Sequence, residues 1–144
     1  MIDWLCKPRI MGLLLFVPTM AVVLIALSLE PDPTGMGTHH QLGLSPCTFW
    51  LWCSLPCPMC GMTTTFSHMA HLQIGEAFLT QPFGVVLFLC MIVVLCIGGV
   101  DLISGKGVYK KAWRWFIERE SILSKAIVCG LLLGWFYKLW RVGM

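Results

Sequence analysis

Positive charge is missing from most of this sequence. Between Arg9 and Lys106 there is no Lys or Arg, and charged residues make up only 12% of the 144. A soluble domain carries about 25%, so a water-facing globular fold is disfavoured. A nucleic-acid partner is not expected either, because it needs clustered basic surface. Other absences narrow the chemistry. The chain has one Cys-x-x-Cys, not two, which weakens a zinc-ribbon reading. That motif is followed by Gly61, not His, which argues against covalent haem attachment. No strand–helix alternation surrounds it, as a thioredoxin-like fold would require. There is no nucleophile–base triad and no pair of acids at working spacing, so no catalytic residue is assigned.

What is present is hydrophobic: 58% of the residues, in three long runs. The expected fold class is an all-α integral membrane protein, a single membrane domain over residues 1–144 with spans at about 10–29, 83–100 and 122–140. The run Ile10 to Leu29 would extend roughly 30 Å as a helix, enough to cross a hydrocarbon core. It also exceeds the about 7–15 residues of a signal-peptide core, so retention as a span is expected. Pro18 lies within it and should kink rather than break the helix. The basic lead before it carries Lys7, Arg9 and Trp4, the last a candidate interface anchor. Cys90, Cys96 and Cys129 read as packing residues. Lys125 and Lys138 lie near the ends of the third span and should snorkel, beside a belt of Trp135, Tyr137 and Trp140.

The connectors differ in character. Residues 30–45 form a loop, punctuated by Pro31, Pro33 and three glycines. Its His39-His40 pair reads as exposed and polar rather than ligating. Cys47 to Pro56 is apolar for a loop and suggests a shallow dip into the membrane. Cys57 to Thr80 reads as one helix. Met62, Phe66, Met69, Ala70, Ile74 and Ala77 fall on one side, and Thr64, His68, His71 and Gly75 on the other. Too polar to span, it is expected to be interfacial or re-entrant. His68 and His71, at i and i+3, are weak ligand candidates. The connector 101–121 holds Lys106, Lys110, Lys111, Arg114 and Arg119 among tryptophans. It is expected to form a basic amphipathic helix on an anionic lipid surface, with Arg114 paired to Glu118. The positive-inside rule then places the N-terminus and this connector in the cytoplasm and residues 30–81 outside. Three spans put the C-terminus outside as well, against the signal of Lys138 and Arg141.

Four cysteines, Cys47, Cys53, Cys57 and Cys60, crowd one stretch of the 30–81 segment. An oxidising compartment favours a structural disulfide, with Cys47 approaching Cys57 or Cys60 and Cys60 in the first turn of the helix. Four thiolates could instead hold zinc. A third reading is a redox-active dithiol at Cys57-Pro58-Met59-Cys60, its thiolate favoured by a helix N-terminus. Unpaired packing is a fourth.

The run Pro56-Cys57-Pro58-Met59-Cys60-Gly61-Met62-Thr63 resembles the signature Pro-Cys-Pro-x-Cys-Gly-x-Thr-Arg of small bacterial membrane proteins, the domain of unknown function 2752. The resemblance extends from about Cys47, which matches an earlier family cysteine, to Val100. Gly61 and Thr63 match the core that starts the helix, and Gln81-Pro82 stands where the family has Asn-Pro. Two departures are Thr64 in place of the family's Arg and the added Cys53. The resemblance implies a bacterial cytoplasmic membrane location and carries no activity.

The functional expectation is a non-catalytic accessory or structural subunit of a larger membrane complex, with lipid and other membrane proteins as partners and a disulfide-held cysteine turn. No cofactor is expected. The alternative is a thiol–disulfide oxidoreductase or metal-binding protein, with zinc the candidate ion, using Cys57 and Cys60. Pigment or haem ligation by histidine ranks behind both, since all four histidines lie outside the spans.

Overall fold

The computed structural model describes residues 7–143, and Trp4 lies outside them. All regular structure among the described residues is helical. Three helices are long and apolar enough to cross a membrane: α1 (Pro8–Ser28), α5 (Pro82–Ser104) and α7 (Glu120–Val142). Between α1 and α5 lie a 3₁₀ turn (Thr38–Leu42) and three short helices, α2 (Thr48–Cys53), α3 (Met62–Ala70) and α4 (Ile74–Thr80). A further helix, α6 (Val108–Glu118), separates α5 from α7. Pro8 and Pro82 each open a long helix, at the position where a missing N–H costs nothing. Pro18 stays inside α1.

The chain divides into two compact units. One holds the described residues up to Val22 together with Leu89–Lys125, and the other holds Val23–Phe88 together with the described residues from Ala126.

In the first unit, α1 and α5 approach at backbone distance through glycine. A Cβ on Gly12 would lie 2.6 Å from the Leu102 nitrogen, and one on Gly98 would lie 2.9 Å from the Phe16 nitrogen. Small residues allow spanning helices this approach. The helix α5 runs past the expected limit of Val100 because its first acid is satisfied. Asp101 is fully buried. Its two carboxylate oxygens accept the N–H groups of Val108 and Tyr109, each at 2.7 Å. N–H groups in the first turn of a helix have no carbonyl of their own helix to bond, and Asp101 serves these two. Hydrogen bonds to a charged group contribute about 1.5–3 kcal/mol. Asp101→Ala is therefore expected to fray the start of α6, seen as faster amide exchange at residues 108–110. Unchanged protection would show the cap to be dispensable.

The apolar side of α6 lines a cavity of about 530 Å³ with Met11, Leu15, Val94 and Ile97. Glu118 pairs at 3.9 Å with Arg119, not with Arg114 as expected. Arg119 sits at the C-cap of α6, where its guanidinium lies 5.0 Å from the centre of the Trp115 ring.

In the second unit the expected single helix from Cys57 to Thr80 is replaced by a turn, α3, a break and α4. The break is a C-terminal motif that closes both remaining carbonyls. Leu72 takes a left-handed conformation at φ 60°. Its N–H bonds to Met69 O at 3.1 Å, and the Gln73 N–H bonds to His68 O at 2.8 Å. That pair of bonds defines a Schellman ending. Glycine usually fills the left-handed position, and leucine there costs about 1–2 kcal/mol. The apolar stretch expected as a loop contains α2, which ends at a left-handed Ser54.

Candidate functional site: a triangle of thiols beside a buried lysine

The site begins with two local structures. Cys47 stands at the N-cap of α2. Cys57 to Cys60 form a tight turn, closed by the Cys60 N–H to Cys57 O at 3.0 Å. Within it the Cys57 N–H points at the Cys60 sulfur, 3.3 Å away. Gly61 follows at φ 87° and starts α3. Cys60 therefore precedes the helix, whereas the sequence placed it in the first helical turn.

Together the two structures bring the sulfurs of Cys47, Cys57 and Cys60 within 4.8 Å of one another. All three are free thiols. A disulfide needs sulfurs about 2.05 Å apart, so the expected disulfide is not present. Cys53 is exposed and stands outside the triangle. It lies six residues beyond Cys47 along α2, about 240° around the helix axis.

The three thiols have different acidities. Burial first, then the neighbouring Cys57 thiol, push Cys60 up to about 12. Cys47 is held below the ordinary thiol value, first by the backbone N–H of Trp50 and then by the thiols of Cys57 and Cys60. Only the thiolate is nucleophilic. In metal-free protein, iodoacetamide at about pH 8 should modify Cys47 ahead of Cys60, because a raised pKa keeps Cys60 protonated. Cys60 should gain reactivity only as the pH approaches 12. Mass spectrometry of timed samples reads the order, and equal rates would contradict it.

α7 ties down the backbone around the thiols. The Trp135 indole N–H donates to Pro56 O at 2.8 Å. The Lys138 ammonium donates to Gly35 O at 3.0 Å and to Thr80 O at 3.4 Å. Tyr137 and Arg141 both donate to Leu79 O. Gln81, at the start of α5, donates to Pro58 O at 3.2 Å. Lys138 is only 4% exposed, so it does not snorkel as expected. Its Nζ lies against Gly61, where an added Cβ would meet it at 2.6 Å. The charge that spoke against the C-terminal topology is thus solvated by backbone carbonyls of the 30–81 segment. The one available sequence signal was that mismatch, two cations at the wrong end of a span.

Other expected site residues lie apart. Thr63 is in the first turn of α3. Thr64 is buried and accepts the Thr38 hydroxyl at 2.9 Å. His68 Nδ1 is 2.7 Å from Gln73 Oε1, and His71 Nδ1 is 2.8 Å from Ser67 O. Each histidine thus has its own partner, and neither joins the thiols. The His39 and His40 rings lie tilted against each other, with centres 4.3 Å apart. Lys106 lies between the left-handed Gly105 and Gly107. Lys110, Lys111 and Arg114 lie along α6.

These features define a helical, multi-pass membrane protein with a three-thiol site. Residues 47–95 match the family described as Protein of unknown function (DUF2752). The match covers the thiol triangle, α3, α4 and the first part of α5. No curated protein and no solved structure matches the chain.

Proposed function

We propose that this chain is a non-catalytic membrane protein whose cysteine-rich segment closes around a thiophilic divalent ion, zinc being the best fit. One observation carries the reading: three free sulfurs from two separate turns converge within 4.8 Å. Around tetrahedral zinc, with Zn–S bonds of about 2.3 Å, sulfurs sit roughly 3.8 Å apart. Closing the triangle needs a shift of about 1 Å. The fourth position is left for water or a partner's side chain.

The ion would pin the segment as a structural part, in keeping with a small subunit of a larger assembly in the bacterial cytoplasmic membrane. The distribution of Lys7, Arg9, Lys106, Lys110, Lys111, Arg114 and Arg119 supports a cytoplasmic N-terminus and 101–121 connector, with α6 on the anionic inner leaflet. Residues 30–81, including α3 and α4, then lie at the outer interface.

A second reading is thiol–disulfide exchange. It is favoured by the contact of the Cys57 N–H with a half-buried Cys60. One experiment separates the two. Reduced protein in detergent is titrated with Co²⁺, and a thiolate-to-cobalt absorption band should saturate at one equivalent and be displaced by zinc. A protein that takes up neither ion, and instead oxidises reversibly to a Cys57–Cys60 disulfide, overturns the metal reading in favour of exchange.

A further inference from the structure

A cavity of about 510 Å³ is lined by Asp32, His68, Glu76, Lys138 and Arg141, among others. Its charges are unusual in being of both signs and unpaired with one another. The ion pair found among the described residues is Arg119 with Glu118, elsewhere in the chain. Lys138 is almost fully buried, yet its acceptors among the described residues are two neutral carbonyls, of Gly35 and Thr80. Arg141 donates to the carbonyl of Leu79. A buried charge without a counter-charge is costly, and an ammonium has a third proton to give. A buried Lys138 and an exposed Arg141 on one cavity call for an anion with several oxygens.

The carboxylates call for the opposite. Asp32 receives the backbone N–H of Thr34 at 2.8 Å and the Thr34 hydroxyl. The Thr34 hydroxyl is the main reason that its carboxyl lies below the ordinary value, so it stays ionised. Glu76 is exposed on the first turn of α4. His68 is already engaged by Gln73.

We propose that this cavity binds a phosphoethanolamine group, its phosphate on Lys138 and Arg141 and its ammonium on the Asp32 and Glu76 carboxylates. The proposal does not depend on the metal. The place in the fold fits a lipid source. Lys138 and Arg141 lie in the last turns of the spanning helix α7, and Pro31 to Gly35 directly follow α1. That is headgroup depth for both. Ligand sites of about 300–1,000 Å³ bury most of a small ligand, so the volume is suitable. A primary ammonium offers three N–H donors to carboxylates, whereas a quaternary choline offers none and a glycerol headgroup has no positive charge.

The test is native mass spectrometry of the full chain, exchanged into nanodiscs with equal parts of phosphatidylethanolamine, phosphatidylcholine and phosphatidylglycerol. The expected result is one retained phosphatidylethanolamine, at least fivefold over either competitor. Arg141→Gln should remove retention of all three. Should that variant fold poorly, the exposed Glu76→Gln serves instead and should equalise ethanolamine and choline lipids. A separate arm adds soluble phosphoethanolamine to detergent-solubilised protein. If it raises the thermal midpoint as far as the lipid does, the headgroup alone is the ligand, in line with the same chemistry. Equal retention of the three lipids, or a preference for phosphatidylglycerol, overturns the proposal.

Discussion

Replacing Cys60 with serine should abolish metal uptake. Cys60 is the most enclosed of the three sulfurs, and the turn that presents it also presents Cys57. Serine has nearly the same shape, so the turn should persist, but its hydroxyl is a poor ligand for a soft ion. Two sulfurs then remain where three converged. Loss of a mere outer-shell partner already weakens metal sites by about 10–100-fold, so loss of a ligand should exceed the upper figure. Cys47→Ser should behave alike, despite lying in a different turn. Cys53→Ser is the control, because it is exposed and outside the triangle. The measurement is zinc competition against a chromophoric chelator. A Cys53 variant as impaired as the Cys60 variant would show that the site is not the one drawn here.

The second large effect is expected at Gly61. Its φ of 87° is one that side chains rarely adopt, and a Cβ there would lie 2.6 Å from Gly35 O and 2.6 Å from Lys138 Nζ. The left-handed conformation costs alanine about 1–2 kcal/mol. The clash with a carbonyl cannot be relieved by a rotamer, and overpacking of this kind adds about 1–3 kcal/mol. Gly61→Ala should therefore lower thermal stability in detergent markedly. It should also impair metal uptake, since Cys60 is its neighbour. Gly75 makes the comparison, because an added Cβ there meets nothing within 4 Å. Gly75→Ala should leave both properties intact. If Gly61→Ala matched it, the close approach of Gly35 and Lys138 would not be a constraint.

The spans were legible because an apolar run of this length, with at most two charges, has few other outcomes. Their ends were less so. The run leading into Asp101 reads as a terminus, and nothing local shows that Val108 and Tyr109 will return to satisfy the carboxylate. The helix break at Leu72 was hidden for a related reason: the left-handed position carries no glycine or asparagine to mark it. Clustering of cysteines was plain, and the family resemblance located the segment that matches. Which cysteines converge was not plain. Spacing along the chain cannot distinguish three sulfurs in a triangle from two in a bond, nor show that α2 turns Cys53 away. Lys138 was misplaced because snorkelling and internal solvation by carbonyls draw on the same flexible side chain. Only the fold shows that Gly35 and Thr80 are within its reach.

The donors that α7 brings to the 30–81 segment also bear on the timing of assembly. The Trp135 bond to Pro56 spans 79 residues of chain, and the Lys138 bond to Gly35 spans 103. Synthesis proceeds from the N-terminus, so the carbonyls of Gly35, Pro56, Leu79 and Thr80 are made long before their partners. Until α7 is made, these bonds to the segment are missing. The hydrogen bonds that hold the backbone around the thiols are thus among the last that the described chain can form.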